Sequence, residues 1–376
     1  MTELRSVRAD KVRIPLRRPF ATATGMWVER EAWIVRLIAA DGRVGLGEAV
    51  LEPADGETAA IVLDQLVRDL LLGSPAALPT GDELALHGRP GRALRAALDG
   101  ALFDLERTPA AVLRPDGPGI LVNATIPSIG PAAAAEAARQ AVAAGFATLK
   151  LKAGAERETE VLVDRVKAIR AAVGPEIRLR IDINGAWDLA TATERMEAID
   201  RFGLEYVEQP LAGDDPAELA ELRGRIRTPI AADETVESLR AAASLLDARA
   251  VDVLVVKPAR VGGPAVVAEI AALAAERNVP IVVSTLFETG IGIATALAIA
   301  AALPTVNRPR AVREGPAHGL ATAGVLEHDL LLESLPIEAG RMRVANVDAG
   351  GLGVALDERA AARFAAESAA TAATAP

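Results

Sequence analysis

Cysteine is absent from all 376 residues, which excludes disulfides, thiolate zinc sites and a cysteine nucleophile. Aromatic residues make up 3% of the chain, so its core must be aliphatic and rich in alanine. The three histidines, His87, His318 and His328, are scattered with no partner at metal-ligand spacing, and surface or packing roles are expected of them. No apolar stretch reaches a membrane span before Glu, Gly or Pro interrupts it, and "MTELRSVRADKVRIPL" lacks the apolar centre of a signal peptide. Positive charge is also in deficit: 41 Lys and Arg against 51 Asp and Glu leave a net charge of -10, which argues against non-specific nucleic-acid binding. The expectation is a soluble, cytoplasmic protein that works on a small molecule, with neither nucleic acid nor membrane as partner.

What the chain does have is an apolar half, enough for a sizeable core in one large barrel or two domains. Its beginning reads as strands: "KVRIPLRRPFATATG" and "REAWIVRLIAADGRVGLGEAV", the latter turning at Asp41-Gly42. Helical stretches over 56–72 and 91–106 complete an α+β region, 1–118. From 119 the pattern becomes short β-rich runs separated by helical ones: 120–126, 147–152, 177–183, 204–209, 228–234, 251–257 and 280–288. Such alternation predicts a parallel sheet with right-handed crossovers, and seven runs favour a closed α/β barrel over 119–321. An eighth strand is expected near 310–315, and a disordered tail over 366–376.

Charged groups close these runs at regular intervals. Lys152, Asp182, Glu208, Asp233 and Lys257 are spaced 30, 26, 25 and 24 residues apart, about one βα unit each. In a parallel barrel, equivalent strand positions meet at the C-terminal mouth, where such barrels carry their active sites. One aspartate at a strand end is ordinarily a helix N-cap. Three carboxylates on adjacent strands would repel one another in a low-dielectric site unless a cation joined them. Asp182, Glu208 and Asp233 therefore imply a divalent metal, and all-oxygen ligation favours Mg2+.

The stretch "FATLKLKAG" places Lys150 and Lys152 on one face of a strand, since side chains two apart point the same way. For a lysine to act as a base near neutral pH, its pKa must fall from about 10.4 towards 7 or 8, a cost of roughly 3 to 4 kcal/mol against its charged form. A second ammonium two residues away, a nearby metal ion and desolvation supply that bias. Lys150 is then the tuner, Lys152 the base, and Lys257 faces it across the substrate. Such a site removes the proton α to a carboxylate while positive charge stabilises the enediolate.

Weaker signals lead elsewhere or nowhere. "GRVGLG" is no dinucleotide fingerprint, because no helix follows it. "DING" begins like a calcium loop without the later acceptors, and "NAT" (123–125) is an incidental sequon. In "ATATGMWVERE" (21–31), Met26 and Trp27 read either as an apolar wall or as incidental apolar residues at a surface hairpin tip.

As a set, "GRVGLGEA", "LKLK", "RIDINGAW", "YVEQPL", "ADET", "VLVVKPARVGG" and "VVSTLFETGIG" resemble the enolase superfamily in its muconate lactonizing branch. Members of that superfamily use a Lys or His base together with Mg2+. The resemblance spans nearly the whole chain. It implies a modified TIM barrel, (β/α)7β, with an N-terminal α+β capping domain and a C-terminal segment, 322–365, returning to the cap. It implies Asp182, Glu208 and Asp233 as metal ligands, Lys152 and Lys257 as acid/base groups, and Asn184 and Glu234 in support. Trp27, Ser284 and Glu288 are the substrate-contact candidates for a small-molecule carboxylate, and a homo-oligomer is expected because assemblies of dimers are common in the family. Within the branch, "VNATIPS", "YVEQPL" paired with "KPARVGG", and "HGLATAGVLEHDLL" look most like o-succinylbenzoate synthases, lyases of menaquinone biosynthesis. "FETGIG" also resembles N-succinylamino acid racemases, and muconate cycloisomerases use the same lysines. The Asp-x-Asp motif usual in dipeptide epimerases is not seen after Val283. A barrel that only binds is the rival from another class, and the complete constellation speaks against it.

Overall fold

A computed structural model of the chain describes residues 2–22, 25–107, 113–304, 315–344 and 351–366. The tail from 367 and nearly all of the strand expected at 310–315 lie outside these residues, as does the side chain of Met26. Strands β1 (Leu4–Thr22), β2 (Gly25–Ala39) and β3 (Val44–Val50) form an antiparallel sheet in that order. Helices α1 (Gly56–Leu72), α2 (Gly81–Ala85) and α3 (Gly88–Glu106) follow. The run "WIVRLIA" in β2 is nearly all apolar because both faces of the sheet are covered. Trp33, Val35 and Leu37 pack with Leu63, Leu94 and Leu98 of the helices. Ile34 and Ala32, on the opposite face, pack with Ala259, Leu286 and Ile291 further along the chain. Gly45 and Gly47 of "GRVGLG" have a packing reason: a Cβ on Gly47 would lie 1.8 Å from the Ala97 carbonyl oxygen of α3. Strand and helix backbones touch there, and only glycine leaves room.

After β4 (Ile120–Leu121), the chain alternates strand and helix. The strands are β5 (Ala124–Ile126), β6 (Thr148–Lys152), β7 (Arg178–Asp182), β8 (Tyr206–Glu208), β9 (Ile230–Ala232), β10 (Val253–Val256) and β11 (Ile281–Val283). Between them lie α4 (Pro131–Ala143), α5 (Thr159–Val173), α6 (Leu189–Ile199), α7 (Pro216–Arg225), α8 (Leu239–Asp247), α9 (Pro258–Val261) and α10 (Pro264–Glu276). Helix α11 (Gly290–Ala302) follows β11. All seven strands are parallel neighbours in chain order. Strand β13 (Arg341–Met342) pairs with β12 (Ile337–Glu338) on one side and β4 on the other, and α12 (Glu358–Arg363) precedes a return to the cap, where Ala365 bridges Val12. No described helix is long and apolar enough to cross a membrane.

The barrel closes through residues 317–319, later in the chain than the stretch singled out from sequence. His318 bridges Val122 on one edge strand's approach, and Gly319 bridges Ser284 at the other edge. His318 N donates to Leu121 O at 2.7 Å, Gly319 N donates to Val283 O at 2.8 Å, and the Val283 N–H donates to His318 Nδ1 at 2.9 Å. So short a pairing carries no run of alternating apolar residues, which is why pattern reading misses it. His318→Ala would leave the buried Val283 N–H without its acceptor and open a gap in the closing seam. A loss of about 2–3 kcal/mol in urea-induced unfolding is expected.

The barrel sorts its side chains with a period of two. Leu149, Leu151, Leu179, Ile181 and Val207 face the helices in the large aliphatic core, with Leu254 and Val256. The alternate set points into the lumen, where Tyr206, Ala231, Val255 and Val282 pack together as a small separate cluster. Lys150, Arg180 and Tyr206 share one register, and Lys152, Asp182 and Glu208 the next one towards the mouth. The sequence thus places its ionisable groups at the lumen positions nearest the strand ends.

Candidate active site at the barrel mouth

Lys152, Asp182 and Glu208 are direct neighbours across β6, β7 and β8. Lys152 Nζ donates to Asp182 Oδ2 at 2.7 Å, and Lys150 Nζ donates to Asp182 Oδ2 and Glu208 Oε1, each at 3.0 Å. The two lysines of "LKLK" therefore converge on one carboxylate. Further round the rim, Lys257 Nζ lies 2.5 Å from Asp233 Oδ2. Arg260 binds the same carboxylate through Oδ1 at 2.8 Å and reaches Glu52 of the cap with both Oε atoms at 3.0 Å. Asp182, Glu208 and Asp233 are all at most 1% exposed.

Electrostatics follow from this packing. Burial would raise the Asp182 carboxyl, but Lys150 and Lys152 outweigh it and hold it far below the ordinary range. Burial and the neighbouring Asp182 push Glu208 up to about 8 despite Lys150. Burial opposes ionisation of Asp233 too, yet Lys257 and Arg260 hold it at about 2. Burial would lower Lys150, whereas Asp182 and Glu208 keep it well above the ordinary lysine value. The Lys150 ammonium is engaged by two carboxylates, Asp182 and Glu208. Lys257 is likewise raised: burial and Arg260 oppose it, and Asp233 and Glu234 prevail.

Whether the acids suit a metal is a matter of donor chemistry. Among the described residues no three His, Asp or Glu side chains close on one point, and lysine ammonium groups bridge the carboxylates instead. The donor set nevertheless fits a hard cation. It is all oxygen and comes from three consecutive strand ends, and burial beside Asp182 pushes its middle member, Glu208, up to about 8.

Asn184 sits behind this rung in the left-handed region at φ 50, followed by Gly185 at φ 69. Its Oδ1 accepts from Lys152 at 3.1 Å and its Nδ2 donates to Glu234 Oε1 at 2.9 Å. Beside the rung, a groove of about 600 Å³ is bordered by Asn184, Gln209, Glu234 and the first turn of α8. Of the remaining candidates, Ser284 lies beside Lys257, its N–H donating to Val256 O at 3.0 Å. Trp27 is buried edge-on against Phe287, centroids 5.4 Å apart, with Arg30 over its ring. Ser284 is buried with Oγ 3.4 Å from Gly319 O. Glu288 is buried, accepts from Leu286 N, and lines a small cavity together with Glu48 of the cap.

Sequence reading passes over three residues that shape the site. Arg260 lies inside "KPARVGG", three residues beyond Lys257, a spacing that hints at its reach. Gln209 accepts from Asp233 N, Thr235 N and Thr235 Oγ1, holding the loop that carries Asp233. Arg180, two residues before Asp182, lies beneath the rung, donates to Ala317 O at 2.8 Å and stacks over Tyr206.

Comparison with known proteins agrees with this geometry. Residues 133–360 match the family model described as enolase C-terminal domain-like, and residues 4–110 match the mandelate racemase/muconate lactonizing enzyme N-terminal domain. The chain is 30% identical to the o-succinylbenzoate synthase of Geobacillus kaustophilus over 371 residues, 94% of this chain and 93% of the relative. It is 43% identical to that of Thermobifida fusca (strain YX) over 228 residues, 60% of this chain and 67% of the relative. In structure it is similar to a dipeptide epimerase from Enterococcus faecalis V583 complexed with Mg and the dipeptide L-Leu-L-Tyr. The TM-score is 0.78 at 27% identity, covering 94% of this chain and 100% of that one. A modified TIM barrel under an antiparallel cap, together with both family matches, shows that the chain belongs to the mandelate racemase/muconate lactonizing branch of the enolase superfamily.

Proposed function

We propose that this chain is a Mg2+-dependent lyase that dehydrates the cyclohexadiene carboxylate SHCHC to o-succinylbenzoate. The observation that carries the chemistry is the rung Lys152–Asp182–Glu208 beside the Lys257–Asp233 pair at the barrel mouth. Relatives named o-succinylbenzoate synthase, one aligned along 94% of the chain, support the choice of substrate. Asp182, Glu208 and Asp233 would hold the metal, which when bound supplies positive charge against the developing enediolate.

In this reading Lys152 Nζ takes the α-proton, and the C–H electron pair passes into the carboxylate as an enediolate. When the enediolate collapses, the hydroxyl leaves with the electrons of its C–O bond and receives the same proton back from Lys152, departing as water. One lysine suffices if both events occur on one face. Lys257 stays charged, as its contact with Asp233 favours, and stabilises the enediolate.

A second reading is favoured by the likeness to epimerases, including the Enterococcus faecalis enzyme. There both lysines would exchange protons with the α-carbon from opposite faces. Mixing the chain with SHCHC and Mg2+ is expected to remove the substrate's ultraviolet absorbance. N-succinylamino acids in deuterated solvent are expected to exchange their α-proton slowly or not at all. Rapid exchange with weak dehydration would instead make the chain a racemase, and inertness towards both substrates, dipeptides and muconate would favour a binding protein.

A further inference from the structure

Lys152 Nζ has two described acceptors, Asp182 Oδ2 at 2.7 Å and Asn184 Oδ1 at 3.1 Å. A lysine nitrogen is tetrahedral. With Cε as one substituent and two N–H bonds aimed at those acceptors, a single direction is left over. It carries the third proton in the charged form and the lone pair in the neutral one. Whatever fixes the two acceptors therefore fixes where the lone pair points.

Asp182 is a strand residue and is held by the sheet. Asn184 is not, and its amide has two ends of similar shape and opposite chemistry. Only one orientation offers oxygen to Lys152. Its backbone is set by the left-handed turn at Asn184 and Gly185, with Asn184 N donating to Asp182 Oδ1 at 3.1 Å. Which way the amide faces is set by Glu234, whose Oε1 accepts from Asn184 Nδ2 at 2.9 Å. A flipped amide would set oxygen against carboxylate and NH2 against the lysine nitrogen, two repulsive contacts at once. The other carboxylate oxygen, Glu234 Oε2, is buried without a hydrogen bond among the described residues. Such an oxygen costs stability, and besides its contact with Asn184 the Glu234 charge acts on Lys257, which it helps to hold as an ammonium.

The geometry points to Glu234 as a positioning residue for proton transfer: through the amide of Asn184 it fixes the direction in which Lys152 presents its lone pair to the substrate. This rests on Lys152 being the base. Glu234 touches neither substrate nor reacting atoms; it keeps Lys152 from swinging among its rotamers, and displacement of a base by about 1 Å can cost on the order of 100-fold in rate.

The test is a double-mutant cycle in the full-length chain with Mg2+ present. Glu234→Leu is expected to lower kcat by about 10- to 100-fold with KM changed less than about 2-fold. Glu234→Gln, which still offers an oxygen to Asn184 Nδ2, is expected to stay within a few-fold of wild type. In an Asn184→Leu background, Glu234→Leu should lose most of its effect, because its route to Lys152 is already cut and only its influence on Lys257 is left. Mg2+ affinity by calorimetry and the thermal midpoint should be nearly unchanged throughout. Additive effects in the cycle, equal damage from Gln and Leu, or a rate loss matched by lost Mg2+ affinity would each overturn the inference. If wild type turned over none of the candidate acids, the proposed function would fail while this inference could still be judged. Crystal structures of wild type and Glu234→Leu would then decide: a displaced Asn184 amide and Lys152 Nζ support it, and an unmoved Lys152–Asn184 contact refutes it.

Discussion

Lys152→Ala is expected to lower turnover by about 10²- to 10⁴-fold, the range that positioned general bases contribute, while leaving the fold intact. Lys152 is at the end of β6 and partly exposed, so its loss opens no core cavity. Asp182 keeps Lys150 as an ion-pair partner, so no buried carboxylate is stranded. Mg2+ affinity should hold or tighten, because the removed ammonium competes for Asp182 Oδ2. Steady-state assay beside calorimetric Mg2+ titration checks both parts. Activity within a few-fold of wild type would mean the proton leaves by another route, and the assignment of the base would be wrong.

Arg260→Leu is expected to cost about 3–5 kcal/mol of stability, more than the loss expected of His318→Ala. The guanidinium is buried and spans two carboxylates from different parts of the chain, Asp233 at the barrel mouth and Glu52 in the cap. Those two carboxylates, with burial opposing them, raise Arg260 above its ordinary value. Leucine would leave Glu52 without its fork and Asp233 with Lys257 alone, and it would loosen the cap over the site. Arg260→Lys keeps the charge but cannot bind both partners in a planar fork, so partial recovery is expected. Urea unfolding followed by circular dichroism reads the effect. A loss under about 1 kcal/mol would show that the cap does not depend on this link.

The ionic pattern of the mouth also explains why sequence spacing reveals so much. In parallel strands joined by helices of similar length, the interval between equivalent positions is nearly constant, so Lys152, Asp182 and Glu208 can be aligned by counting along the chain. Their register shows them side by side. Arg260 and Gln209 escape the same reading because they act across loops, where no period applies. The closing segment at His318 escapes because a pairing of a few residues has no pattern to detect.

From sequence alone come the strand–helix alternation, the alternating lumen positions and the set of ionisable groups at strand ends, since each is fixed by local periodicity and chain spacing. Tertiary structure alone decides which ammonium each carboxylate holds, how Arg260 ties cap to barrel, and how Glu234 turns the amide that faces Lys152. Those choices depend on side-chain directions and burial among residues far apart in the chain, and no linear pattern encodes the distances on which Coulomb energy and hydrogen bonding act.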